Sequence, residues 1–205
     1  DDPKRPVEEI VDTMQRQVQE GKIRWYGCSN WKTPRIVAAQ AYARQRGWSG
    51  FIANQMLWSL AVVDDENLPD RTAAAMNREM WRYHAETGMA AVPYSAQANG
   101  YFHRTLAGST DKLTENARKL YTRRENVRRA NVVMRISQER GITVTGVVLG
   151  YLLSQPFATI PIIGPHSLAQ LMDSMAVADI RLTEDEIDAF EATLARILEN
   201  LMSAS

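Results

Sequence analysis

Residues 21–31 read GKIRWYGCSNW: an apolar, β-prone run that ends on a small polar trio, Cys28-Ser29-Asn30. The run predicts a strand over Ile23–Gly27, and a strand that stops on a hydroxyl and an amide offers hydrogen-bonding groups at its carboxyl end. Before it, Val7, Ile10, Val11, Met14 and Val18 share one face of a helix predicted over Val7–Glu20, with Pro6 at its start and Gly21 at its stop. After it, Thr33 reads as a helix cap, Pro34 as the first helical position and Gly47 as the terminator.

The unit then recurs. GFIANQ predicts a second strand ending on Asn54-Gln55, with a loop and a helix near Asn77–Thr87 behind it. MAAVPYS is a third strand, ending on Tyr94-Ser95, and an insertion containing ANGYFHR precedes helices near Asp111–Tyr121, Glu125–Arg140 and Val144–Ser154. ATIPIIG is a fourth strand. Ser167 and Gln170 predict a capping box for the next helix, and Thr183 and Glu186 a second box for the last, read through TEDEIDAFEATLARILENL. Near-continuous apolar strands separated by helices imply a parallel sheet. Four such units make one α/β domain over residues 1–205 and about half of a (β/α)8 barrel, although a doubly wound sheet uses the same unit.

Composition narrows the function. The 24 basic and 24 acidic residues cancel, which gives no electrostatic footprint for nucleic acid or an anionic membrane. VTGVVLGYLL is too short to span a bilayer. One cysteine, Cys28, permits no internal disulfide and reads as a buried, inert thiol. The three histidines show no metal-ligand spacing. No signal peptide is legible, so a cytoplasmic setting is expected. The chain opens on DDPKRP without Met, which suggests a piece of a longer or processed protein.

Ligands of α/β sheets sit at the carboxyl ends of the strands. Those ends carry Ser29-Asn30, Asn54-Gln55, Tyr94-Ser95 and Gly164-Pro165-His166-Ser167. The set is uncharged: it suits a carboxamide and a flat ring, and it lacks the lysine a Schiff-base enzyme needs. Gly164 and the helix start at Ser167 favour an anion. Each feature also has a plain structural reading: a turn at Ser29-Asn30, a core ring at Tyr94, a cap at Ser167.

Together GKIRWYGCSNW, ANQMLWSL, VPYSAQANGYF, GITVTGVVLGYLLSQP and IPIIGPHSLAQLMDSM resemble, in that order, the second half of an aldo-keto reductase. The resemblance implies a TIM-type barrel binding NADP at its carboxyl rim and reducing a small carbonyl substrate. By position, Ser29, Asn30 and Gln55 would hold the nicotinamide carboxamide and Tyr94 would stack on its ring. Ser95, Gln97 and Asn99 would follow the pyrophosphate, and Gly164, His166, Ser167, Gln170, Asp173 and Ser174 would clamp the adenosine 2′-phosphate. Gln170 stands where the family commonly has a basic residue, and Asp173-Ser174 where it has Glu-Asn, so NAD remains open beside NADP. The family's catalytic Asp, Tyr, Lys and His precede the first residue of this chain, which leaves no catalytic residue here. The chain is expected to be inactive alone and to need a missing N-terminal half-barrel or self-association. A half-barrel without catalysis, or a barrel enzyme of phosphate substrates, are the alternatives.

Overall fold

Pro6 and Gly21 bracket the first helix, α1 (Val7–Gln19), as expected. Its apolar face, with Val7 and Val11 buried, packs on α2 (Thr33–Gln45). The computed structural model describes residues 1–63, 65–68 and 70–192. The start of α2 differs from expectation. Lys32 is the cap and makes no side-chain capping bond, while Thr33 lies inside the helix with a buried, unpartnered hydroxyl. Pro34 in the first turn fixes the start instead, because its missing N–H costs nothing there.

Strand β1 is Tyr26–Ser29, three residues later than the apolar run suggests. Trp25 is 60% exposed, so the bulky residues ahead of Tyr26 are not the buried ones. Burial alternates instead: Tyr26 and Cys28 face the helices, and Gly27 and Ser29 face the open side. Strand β2 (Phe51–Gln55) matches expectation and pairs with β1 in parallel. Strand β3 (Ala90–Ala91) pairs with β2, again in parallel. Its pairing carries on past the regular strand, through Val92 N–H to Asn54 O at 2.9 Å and Tyr94 N–H to Met56 O at 2.9 Å.

The expected fourth strand is only a bridge, Ala91 to Thr159, among the described residues. Its chain nevertheless runs along β3: Ala91 N–H donates to Ala158 O, and the Ile160 and Ile162 N–H groups donate to Ala91 O and Pro93 O. Pro93 has no N–H to continue this ladder, whereas Pro161, between the donors Ile160 and Ile162, faces the other edge. The order is therefore β1-β2-β3 and then residues 158–163, each beside its predecessor in sequence.

Helix α3 (Arg78–Thr87) begins on Asn77, whose side chain accepts from Met80 N–H, and stops on left-handed Gly88. The ANGYFHR insertion is itself helical, as α4 (Tyr101–Leu106). Helices α5 (Glu115–Tyr121), α6 (Arg124–Arg140) and α7 (Val144–Leu153) follow. Helix α8 is Leu168–Met175, and α9 (Glu184–Glu191) carries the full capping box of Thr183 and Glu186. The expected continuation of the last helix beyond residue 192 lies outside the described residues. At Ser167 the box is incomplete: Ser167 Oγ caps Gln170 N–H, but Gln170 Oε1 accepts from His166 N–H at 2.7 Å.

His84 of α3 is fully buried against Phe157, with Nδ1 2.7 Å from Met89 O and Nε2 unpartnered. Burial lowers its pKa from 6.5, opposed by the smaller pull of the Met89 bond. The neutral ring is thus the stabilising form. Its contribution is complete above pH 6.5, the unfolded value, and declines as pH falls towards the lower folded value. Urea unfolding at about pH 7.5 and about pH 5.5 should show a larger loss for the wild type than for His84→Gln.

Candidate functional site

The register of the sheet assembles the rim. Ser29 is the register partner of Gln55, and Asn30 N–H donates to Gln55 O at 2.8 Å, so the first two strand ends finish side by side. The extension of the β2–β3 pairing sets Tyr94 opposite Leu57. Four of the sequence-predicted residues consequently meet. Ser29 Oγ donates to Gln55 Oε1 at 3.5 Å, Asn30 Nδ2 to Ser29 Oγ at 3.4 Å, and Tyr94 Oη to Asn30 Oδ1 at 2.9 Å. The first two bonds are long and weak, which leaves those groups free to exchange partners.

Asn54, next to Gln55, takes no part in the rim. It is completely buried, with Cys28 Sγ at 3.4 Å and Met80 Sδ at 3.5 Å. Cys28 is also buried, and desolvation pushes its thiol up to about 12, so it carries no thiolate at neutral pH.

The segment after Tyr94 holds an unusual backbone. Ser95, Ala98 and Asn99 all have positive φ (53°, 49° and 51°), followed by Gly100 at 78°. Non-glycine residues in this region cost about 1–2 kcal/mol each, and such strain concentrates where a ligand is to be met. Gln97 leaves this segment to donate to Ser174 Oγ of α8 at 2.9 Å. That bond joins the expected pyrophosphate segment to the expected phosphate clamp. Within the clamp, Gly164, His166, Ser167 and Gln170 are exposed, Asp173 is half-buried and Ser174 is buried. No lysine or arginine occurs from residue 158 to residue 180. Arg181 turns away, donating to the carbonyls of Ala178 and Ile180.

A cavity of about 440 Å³ opens beside Asn30, Tyr94, Ser95 and Asn99. Its further walls include Asp70, Thr114, Asn116 and Tyr121. Here a charge joins the uncharged strand ends. Asp70 arrives from the connection between β2 and α3, and its carboxyl is held below the usual range by the Thr72 hydroxyl and N–H. The Tyr94 hydroxyl is raised by burial and by the Asp70 charge, against the opposing Asn30 bond. Burial pushes Tyr121 up to about 12. Both phenols are therefore neutral donors at neutral pH. Tyr121 and Asp70 lie far in sequence from any strand end, and no periodicity pointed to them. Among the described residues, no group of His, Cys, Asp and Glu is placed to hold a metal ion, and no helix is long and apolar enough to cross a membrane.

Known proteins resemble this chain in sequence and fold. Aldo-keto reductase ausK of Aspergillus calidoustus is 29% identical over 191 residues, covering 91% of this chain and 46% of that protein. Versiconal hemiacetal acetate reductase of Aspergillus parasiticus is 27% identical over 197 residues, covering 93% of this chain and 54% of that protein. The solved aldo/keto reductase of Klebsiella pneumoniae, in complex with NADP and acetate, superposes with a TM-score of 0.60 at 20% identity, over 91% of this chain and 53% of its own. The chain thus spans about half the length of the relatives it matches. The profile of the aldo/keto reductase family matches residues 1–195, and this chain belongs to that family.

Proposed function

We propose that this chain is the cofactor-holding half of an aldo-keto reductase barrel, which reduces small aldehydes or ketones with NADPH or NADH. The observation that carries the reading is the meeting of Ser29, Asn30, Gln55 and Tyr94 at one strand-end rim. Hydroxyl and amide groups joined by weak mutual bonds fit a carboxamide, which both donates and accepts. The neutral Tyr94 ring fits a flat heterocycle. When bound, the nicotinamide would supply hydride. The residues here would orient it, and the proton donor would come from outside the chain.

The clamp supports a modest preference at most for NADPH. Gln170 spends its carbonyl on His166 N–H, and residues 158–180 contain no arginine to grip a 2′-phosphate bidentately. A second reading, binding without chemistry, is favoured by the cavity walls, which contain no lysine or histidine among the described residues. Carbonyl turnover by this chain alone would contradict it.

The open faces support the half-barrel. Leu168, Met172 and Met175 of α8 are 73%, 61% and 59% exposed, and Ile160 at the sheet edge is 59% exposed. Such a patch calls for cover, from an N-terminal half-barrel or from a second copy. Sedimentation of the purified chain should show association or aggregation, and a stable monomer would contradict the proposal. For the rim, Ser29→Ala and Gln55→Ala should each weaken NADPH binding about 3- to 10-fold, the worth of one hydrogen bond. Unchanged affinity in both would sink the carboxamide assignment.

A further inference from the structure

The connection from β2 to α3 does not pass outside the rim; it crosses it. Asp70 turns the chain, accepting at Oδ1 from Thr72 N–H (2.8 Å) and Thr72 Oγ1 (2.7 Å), while Ala73 N–H donates to Asp70 O at 3.0 Å. The next residues run parallel to Leu57: Leu57 N–H donates to Ala74 O and Met76 N–H to Leu57 O, both at 2.9 Å. Ala74 and Ala75 are buried. Ala74 N–H, one step back along the same edge, finds its acceptor in a side chain, Asn30 Oδ1 at 3.1 Å.

An amide oxygen has two lone pairs. Those of Asn30 are both used, by Ala74 N–H and by Tyr94 O–H. Asn30 also sits at φ 58°, a left-handed conformation that asparagine and aspartate tolerate better than other side-chain-bearing residues. The side chain is thereby aimed across the strand ends and onto the strap. We propose that Asn30 is a positioning residue that latches residues 70–76 over the rim, and that this latch and a carboxamide N–H compete for the same oxygen. The competition rests on the nicotinamide reading; the latch does not. Its consequence is that docking of the nicotinamide frees the Ala74 end of the strap, coupling cofactor entry to the shape of the adjoining cavity.

Amide hydrogen exchange resolved at Ala74 tests both parts, with Val92, bonded to Asn54 O within the sheet, as the internal reference. Without nucleotide, Asn30→Gly relieves the left-handed backbone but removes the acceptor. Exchange at Ala74 should rise about fivefold or more relative to Val92. Asn30→Asp keeps an acceptor and the backbone preference, so it should restore slow exchange. A role in backbone shape alone would predict the reverse ranking, and equal exchange in wild type and Asn30→Gly overturns the latch. Should Asn30→Gly lose protection at Val92 as well, Asn30→Asp against Asn30→Ser decides, since the shorter side chain cannot reach Ala74. With saturating NADPH on the wild type, Ala74 should exchange faster while Val92 does not. Bound NADPH with unchanged or slower Ala74 exchange overturns the competition.

Discussion

An Asn126→Ala chain should lose roughly 3 kcal/mol of unfolding free energy, read as a lower urea midpoint at unchanged slope. Asn126 is completely buried near the start of α6 and works as a two-sided staple. Its Oδ1 accepts from Val62 N–H at 2.8 Å, and its Nδ2 donates to Val62 O at 2.8 Å and Tyr121 O at 2.9 Å. Alanine leaves three backbone groups without these partners, and a buried group left unsatisfied costs about 1–3 kcal/mol. Relaxation and the second lone pair of each carbonyl reduce the sum. Asn126→Asp is the sharper control: it restores the acceptor for Val62 N–H, removes both donors and buries a charge. It should be at least as destabilising as alanine, and a mild Asp variant would refute the staple. The same bonds fix the chain between β2 and the strap, so the variant should also disturb the cavity beyond Tyr94.

Gly27→Ala should cost about 2–3 kcal/mol, against about 1 kcal/mol for Gly47→Ala. The two glycines serve different needs. Gly47 has φ 70° and open space around it, so alanine meets only backbone strain. Gly27 lies in β1, where a Cβ would stand 2.6 Å from Ala53 O, a backbone atom that can yield only if the strands part. The pairing shows why the approach is so close. Between Tyr26↔Phe51 and Cys28↔Asn54, β1 advances two residues and β2 three, so the bulge pushes a β2 carbonyl against β1. That bulge also determines that Ser29 and Gln55 finish together. Gly27→Ala should therefore weaken nucleotide binding as well as stability, whereas Gly47→Ala should spare binding. Equal losses for the two variants would refute the close-approach argument.

The helices that bury one face were legible, because their periodicity and end signals agree: Val7–Gln19, Arg78–Thr87 and the Thr183–Glu186 box fall where the residues place them. The strands were less so. An apolar run marked β1 too early, since its outward face is open and selection for burial acts on alternate residues alone. The fourth strand lost its regular ladder at Pro93, and a proline's effect depends on which edge it faces. At the site, Ser29, Asn30, Gln55 and Tyr94 were readable as strand ends. Asp70 and the strap were not, because the path of a long connection is determined by distant acceptors such as Asn30 Oδ1 and not by any local pattern. Gln170 was read as one half of a capping box, while its Oε1 accepts from His166 N–H instead.

The most direct test of the nicotinamide reading is a titration of the purified chain with NADPH, followed by tryptophan quenching. Trp31 and Trp58 are buried close after the first two strand ends and would report on the rim. Saturable quenching, weakened at least about tenfold in Tyr94→Ala through loss of ring stacking, is the expected result. Saturable binding with the same affinity in Tyr94→Ala, or no saturation in a chain that unfolds cooperatively, would contradict it.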